Sequence, residues 1–253
     1  MPDYLAHLAA QGRYHFTTEE AVEALGQSVS RVRAALRRLK AQGQIVDPHR
    51  SFHVILPPEH RDGGCPPAED FVPPLMQYLD EPYYVALLSA AEAYGVAQEK
   101  HAFQVMARQN HPRIDCGESR VQFSRRKDLD RTPQCEKLTA RGPVHIASPE
   151  ATALELVGYA DHCGGLGHVA GVVSDLAKVI EPQRLASAAL LGTIAWAQRL
   201  GYMLDLGDNR LVSNALAPLV QELAHDFAPL VRAHPKGGAT RLARWKLVIN
   251  APL

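Results

Sequence analysis

The sequence predicts a mixed α+β protein that is built from two domains. The chain has 253 residues, which exceeds the usual size of a single domain. A stretch rich in proline and glycine at residues 61–70 separates two segments that carry periodic apolar residues. Patterns of both helices and strands recur along the chain. We therefore expect a small domain over residues 1–60, a linker over 61–70 and a larger α+β domain over 71–253.

The composition of the chain indicates its cellular compartment and the classes of partner that it can attract. The 27 basic and 27 acidic residues cancel, so no field of the whole molecule attracts nucleic acid or membranes. The four cysteines form no CxxC pair, and the N-terminus lacks the pattern of a signal peptide. No apolar run is long enough to cross a bilayer. These features predict a cytoplasmic protein without a membrane partner.

The first sixty residues begin with two short helices. Residues 4–10 place leucines on one helical face and end before Gly12. A second helix follows, in which Thr17 and Glu20 have the spacing of a capping box. We expect this helix to reach about Leu25 and to end at Gly26.

A third helix is expected to follow Ser28, which is a favourable N-cap residue. Its apolar positions recur at helical spacing and are expected to form one buried stripe: Val29, Val32, Leu36 and Leu39. The same helix carries five cations and no acid, namely Arg31, Arg33, Arg37, Arg38 and Lys40. Over residues 28–53 six basic residues face one acid, so positive charge is concentrated here in a chain of zero net charge.

Two short strands at residues 44–46 and 52–56, with a turn at 47–51, predict a hairpin after this helix. Helix, capped helix, turn, basic helix and hairpin are the order of a winged helix-turn-helix, whose third helix fits the major groove of double-stranded DNA. We expect a site made of Ser28, Ser30, Arg31, Arg33, Ala34, Arg37, Arg38, Lys40 and Arg50.

Within this site, Ser30, Arg31 and Ala34 are expected to approach base edges. Arg37, Arg38 and Lys40 are assigned to phosphates, Arg50 to the backbone or minor groove, and Arg33 to either role. Two alternatives stay open: the cations only solubilise a surface helix, or the winged helix contacts another protein.

The larger domain is predicted to open with helices at residues 70–79 and 82–94. Strands at 103–106, 120–123 and 144–146 indicate an antiparallel sheet. Ser148 followed by Pro149 marks the start of a further helix, after which helices dominate. A final strand at 245–249 is expected to join the same sheet.

The order of these elements resembles the AbiEi family, antitoxins of type IV toxin-antitoxin systems. Four segments carry the resemblance: Phe16–Thr17–Thr18–Glu19–Glu20, Tyr83–Tyr84–Val85–Ala86–Leu87–Leu88–Ser89–Ala90–Ala91, Ile146–Ala147–Ser148–Pro149–Glu150–Ala151–Thr152 and Arg199–Leu200–Gly201–Tyr202. The resemblance implies an N-terminal domain that represses the protein's own operon by binding its promoter, where we expect inverted repeats. It also implies a C-terminal domain that counters a nucleotidyltransferase-like toxin, with or without direct contact.

No nucleophile, Walker A or HExxH motif appears, so we name no catalytic residue and expect no cofactor. Asp161, His162, Cys163 and His168 match no zinc spacing, and no metal is expected. The glycines at residues 164–167 could present amides to phosphate, although a tight loop is the simpler interpretation. The basic segment 108–141 is either a second nucleic-acid surface or, as we favour, a solvated strand edge.

Two other functions remain open at this point. The first is a ligand-sensing transcriptional regulator without a toxin partner. The second is an enzyme with an accessory DNA-binding domain.

Overall fold

The computed structural model of the protein describes residues 1–96, 101–139 and 141–253. The chain divides into two compact units: the first comprises Met1–Tyr83, His101–Lys127 and Leu138–Val144, and the second comprises Tyr84–Lys100, Asp128–Lys137 and His145–Leu253. Helices and sheets occur in both, so the mixed α+β class is confirmed. Because residues 1–60 share a unit with later segments, their folding as a separate domain, bounded by a linker at 61–70, stays a prediction.

The N-terminal part of the first unit contains three helices and three strands: α1 (Pro2–Ala10), β1 (His15–Thr17), α2 (Thr18–Leu25), α3 (Val29–Ala41), β2 (Ile45–His49) and β3 (Phe52–Ile55). The strands form an antiparallel sheet in the order β1-β3-β2. Apolar side chains from all three helices pack around Phe16 and Ile45. This is the element order of a winged helix-turn-helix.

Local signals at α2 agree with the structure, whereas two expectations for α3 do not hold. Ser28 is the N-cap residue of α3, but its side chain makes no capping hydrogen bond. The Thr17 side chain accepts a hydrogen bond from Glu20 N, the Glu20 carboxylate accepts one from Thr17 N, and Gly26 ends α2 in the left-handed conformation. Val29 is wrong as a core position because it is 45% exposed, so the buried stripe of α3 begins at Val32.

The wing differs from the predicted hairpin in the position of its turn. β2 continues to His49, and only Arg50 and Ser51 form the turn, with Ser51 at φ 61°. The pairing register shifts between Val46 and His49. This irregularity accommodates Pro48, which has no amide hydrogen for a regular ladder. The predicted turn at residues 47–51 is therefore too long.

The remainder of the first unit consists of α4 (Ala68–Tyr78) and the strands β5 (Phe103–Ala107), β6 (Ile114–Cys116) and β7 (Ser119–Arg125). β6 and β7 form an antiparallel hairpin, whereas β5 and β7 are parallel. The prediction of an antiparallel sheet is therefore wrong. β7 lies between β6 and β5 in the sheet. It runs opposite to β6 on one edge and in the same direction as β5 on the other. Apolar residues of α4, such as Phe71 and Leu75, share a core with Val121.

The second unit is mainly helical. Its elements include α5 (Leu87–Ala93), α6 (Pro149–Gly158), α7 (Leu166–Leu176), α8 (Pro182–Ala189), α9 (Ile194–Leu206), α10 (Arg210–Ser213) and α11 (Ala217–Leu223). Ser148 caps α6 as predicted, because its side chain accepts a hydrogen bond from Ala151 N at 3.2 Å. The helix predicted at residues 82–94 is wrong at its start. Residues 83–85 form a strand instead, and α5 begins only at Leu87, whose φ of 56° is a left-handed angle that does not occur inside a regular right-handed helix.

Three further strands are β4 (Tyr83–Val85), β8 (Gln134–Thr139) and β9 (Gly142–Ala147), of which β4 and β9 pair in parallel through Val85 and Ile146. A separate sheet combines β10 (Ala228–Pro229), β11 (Thr240–Leu242) and β12 (Leu247–Ile249) in the order β10-β12-β11. The strand predicted at residues 245–249 thus begins later and does not join the sheet of residues 103–146. None of the helices in the described part of the chain is long and apolar enough to cross a membrane.

Candidate nucleic-acid interface

The third helix carries the candidate interface because its two sides differ sharply. α3 has 13 residues and is therefore about 20 Å long at 1.5 Å per residue. Val32, Leu36 and Leu39 are buried and anchor the helix. The predicted site residues lie on the rest of its surface: Ala34 is half-buried, and Ser28, Ser30, Arg31, Arg33, Arg37, Arg38 and Lys40 are exposed.

Four arginines of this helix, Arg31, Arg33, Arg37 and Arg38, form no ion pair with any residue that the structure describes. Arg50 in the wing turn is exposed and likewise has no acidic partner within the described ranges. We call the exposed side of α3 with Arg50 the cationic face. Its charge is not neutralised within the described protein, so it is available to a polyanion.

Lys40 differs from the four arginines. Its Nζ donates a hydrogen bond to the Asp47 carboxylate at 2.8 Å, and its side chain remains 56% exposed. Asp47 also contacts the His53 ring at 2.7 Å, and His53 contacts the Thr18 hydroxyl at 2.9 Å on its other nitrogen. We call these four hydrogen-bonded side chains, Lys40, Asp47, His53 and Thr18, the wing latch. They link α3, β2, β3 and the start of α2.

The wing latch was not predicted from sequence, since its four members belong to four different helices and strands. One signal was present: His53 lies in a strand between two apolar residues, and it is only 6% exposed. A histidine that is buried at such a position needs hydrogen-bond partners. The identity of the partners depends on the pairing of β2 with β3, which residue patterns do not specify.

Electrostatics at Asp47 show how the latch is stabilised. Burial raises the pKa of this carboxyl, but hydrogen bonds and charges from His53 and Lys40 outweigh burial, and the pKa of Asp47 lies below its ordinary value of 3.8. Because the pKa is lower in the folded state, the carboxylate stabilises the fold at neutral pH. This contribution disappears as the pH falls below about 4.

Replacing Asp47 with asparagine is expected to lower the free energy of unfolding by about 1–3 kcal/mol at pH 7, because His53 loses a charged partner. The difference from wild type should close as the pH falls below about 4. Urea denaturation between pH 3 and pH 7 measures both effects. Asp175→Asn is the matched control: its ion pair with Lys178, at 2.7 Å, is exposed and should be worth less than about 1 kcal/mol. Equal losses in the two variants at every pH would contradict the latch.

The basic segment at residues 108–141 is divided between the two units. Some of its cations already have acidic partners: Arg113 pairs with Asp115 at 2.8 Å, and Arg141 lies 3.5 Å from Asp70. Binding of nucleic acid by this segment stays a prediction.

Residues 161–168 were considered as metal ligands. In the described ranges, no group of three or more histidine, cysteine or acidic side chains is placed to hold a metal ion. Cys163 is buried and is not bonded to another cysteine.

The described elements define a mixed α+β protein, in which an N-terminal segment with the element order of a winged helix-turn-helix carries the cationic face. Residues 84–206 match the family model described as the AbiEi antitoxin C-terminal domain. These residues therefore carry an AbiEi antitoxin C-terminal domain, and the resemblance to the AbiEi family that the residues predict is confirmed.

Comparison with solved structures supports the fold. The crystal structure of the RV2827C protein from Mycobacterium tuberculosis is similar with a TM-score of 0.71 and 17% sequence identity, covering 97% of this chain and 89% of that chain. An antigenic nucleotidyltransferase-like protein from Paracoccidioides brasiliensis has a TM-score of 0.38 and 11% identity, covering 58% of this chain and 89% of that chain; this value does not indicate a shared fold. No curated protein matches the chain.

Proposed function

We propose that this protein is a DNA-binding autorepressor and the antitoxin of a type IV toxin-antitoxin system. The AbiEi antitoxin C-terminal domain at residues 84–206 supports the antitoxin role. The observation that carries DNA binding is the cationic face: exposed arginines without acidic partners among the described residues, on the third helix of a winged helix-turn-helix.

In the proposed complex α3 lies in the major groove of double-stranded DNA. Ser30, Arg31 and Ala34, in the N-terminal half of the helix, approach base edges, and Ser28 lies in the same site at the N-cap. Arg37 and Arg38 hold phosphates, and Arg33 contacts either a base or a phosphate. The phosphate contacts position the helix in the groove, while the base contacts select the DNA sequence.

Arg50 extends the proposed contact from the wing to the backbone or minor groove. Lys40 keeps its phosphate role but contributes less than the arginines, because its ammonium group also pairs with Asp47. The wing latch thereby links the helix in the groove to the wing beside it.

The proposed antitoxin role is directed at a nucleotidyltransferase-like toxin encoded in the same operon. Stable binding of the toxin is not required, because antagonism can act through another route. Co-purification of the two proteins tests direct contact, and survival of toxin-expressing cells with the antitoxin tests antagonism itself. A failure to protect those cells would remove the antitoxin role.

Affinity for the protein's own promoter is expected to fall steeply with salt. If five phosphates are neutralised, the logarithm of the binding constant should fall against the logarithm of salt concentration with a slope of about 4 to 5. Fluorescence anisotropy with labelled promoter DNA, between 50 and 250 mM salt, measures the slope, and the same DNA without its inverted repeats is the control. A flat salt response would contradict the electrostatic account.

A ligand-sensing regulator without a toxin partner is the second candidate function. A cleft of about 280 Å³ in the first unit favours it, since its lining residues include Val54 and Ile55 of β3 and Tyr14, which directly precedes β1. Arg141 lies 3.8 Å from the centre of the Tyr14 ring in this cleft. A neighbouring gene for a nucleotidyltransferase-like protein would favour the antitoxin, and an unrelated metabolic gene would favour the sensor.

A further inference from the structure

The second unit contains a cleft with an unusual arginine. The cleft has a volume of about 210 Å³, and Arg199, Arg232, Trp196 and Asp161 are among its lining residues. Arg199 belongs to α9 and is only 4% exposed. A buried cation is costly unless a negative charge or a full set of hydrogen bonds compensates it.

Carbonyl oxygens satisfy only part of the Arg199 guanidinium. Nε donates to the carbonyls of Pro229 and Leu230 at 3.1 and 2.9 Å, Nη2 donates to Pro229 at 2.7 Å, and Nη1 donates to Ala195 at 3.2 Å. A guanidinium has five N–H groups. Two of them, one on each terminal nitrogen, therefore have no acceptor among the described residues.

The positive charge is also not neutralised. No acidic side chain in the described ranges forms an ion pair with Arg199 or with the exposed Arg232. Burial, followed by the charge of Arg232, lowers the pKa of Arg199 to about 10. Arg199 therefore remains charged at neutral pH although the charge of Arg232 opposes it, and an anion between the two side chains would relieve this repulsion.

The other walls of the cleft support a compact ligand. The indole of Trp196 packs so closely on α6 that a Cβ at Gly158 would lie 2.2 Å from the ring. Helix α7 begins at Leu166 on the same cleft, and helix N-termini favour negative charge. Asp161 is the opposing feature, since its carboxylate repels an anion.

We propose that this cleft binds a small phosphate-bearing molecule, with the phosphate held by Arg199 and Arg232. Arginine recognises phosphate with two parallel hydrogen bonds, and the two unused N–H groups of Arg199 provide donors for such contacts. Asp161 limits the affinity and orients the rest of the ligand. The proposal concerns the second unit alone and does not depend on DNA binding.

Titration of the full-length protein with inorganic pyrophosphate and phosphate tests the site, with acetate as the carboxylate probe. Isothermal calorimetry gives the affinity. Quenching of tryptophan fluorescence reports on Trp196, since the only other tryptophan, Trp245, is buried at 1% exposure. We expect saturable binding of pyrophosphate, weaker binding of phosphate and no binding of acetate.

Arg232→Ala is expected to weaken pyrophosphate binding by about tenfold or more, because one charged hydrogen-bond donor is lost. Asp161→Asn should strengthen it. Arg210→Ala is the matched control: it removes an exposed arginine of the same unit that does not line the cleft, and it should leave the affinity unchanged. These surface variants do not remove the carbonyl contacts of Arg199, so folding should persist.

Absence of pyrophosphate binding at millimolar concentration would overturn the proposal. So would equal losses in Arg232→Ala and Arg210→Ala, or tighter binding of acetate than of phosphate. If the same protein bound pyrophosphate but not its promoter, the proposed DNA binding would be contradicted and the proposed phosphate site would stand.

Discussion

Replacement of Arg33, Arg37 and Arg38 with glutamate is expected to abolish binding to the protein's own promoter. Each substitution removes a cation from the cationic face and adds an anion beside the phosphates. A loss in affinity on the order of a thousandfold or more follows from the phosphate contacts involved. Gel retardation with promoter DNA measures it. Because the three side chains are exposed and unpaired among the described residues, thermal unfolding should change little.

The matched control reverses three cations in the second unit, Lys178, Arg184 and Arg210, all of which are exposed. Its change in net charge is identical, so a loss that depends only on net charge would appear in both proteins. We expect the control to retain promoter binding. Unchanged binding by the α3 variant would assign the interface to another surface.

Gly201→Ala is expected to lower the free energy of unfolding by about 2 kcal/mol or more, despite the higher helix propensity of alanine. Gly201 lies inside α9, and a Cβ there would lie 2.2 Å from the Trp245 ring. That ring is 1% exposed, and its Nε1 donates to Asp205 at 2.8 Å. It therefore cannot move aside without losing packing and a hydrogen bond. Chemical denaturation measures the effect.

Gly171→Ala provides the opposite case within the same unit. Gly171 lies in α7, and apart from its chain neighbours and the backbone of its own helix, no atom of the described residues lies within 4 Å of a Cβ at that position. The substitution should raise the free energy of unfolding by up to about 1 kcal/mol through helix propensity alone. If both variants were stabilised, the close contact between α9 and Trp245 would not exist as described.

Features that depend on neighbouring residues were predictable from the sequence. The capping box at Thr17 and Glu20, the end of α2 at Gly26 and the cap at Ser148 were all confirmed. In each case the hydrogen bond or backbone angle involves residues within a few positions of one another. The outward position of the arginines on α3 follows equally from helical periodicity.

Predictions failed where distant segments determine the structure. β1 has only three residues and owes its strand geometry to pairing with β3, so it carries no pattern of its own. The parallel pairing of β5 with β7 is equally non-local. At Leu87, tertiary packing of a fully buried residue imposes a backbone angle that helix propensity does not anticipate.

The order of helices, the concentration of cations on α3 and the family could be inferred from residues alone, because short-range spacing and composition carry that information. The wing latch, the separate C-terminal sheet and the Arg199 cleft exist only after folding. Each depends on a contact between separate elements of the chain, as with Thr18 and His53 in the wing latch or Arg199 and the Pro229 carbonyl. Such contacts depend on how strands pair and helices pack. These arrangements are determined by interactions throughout the core, so no short stretch of sequence predicts them.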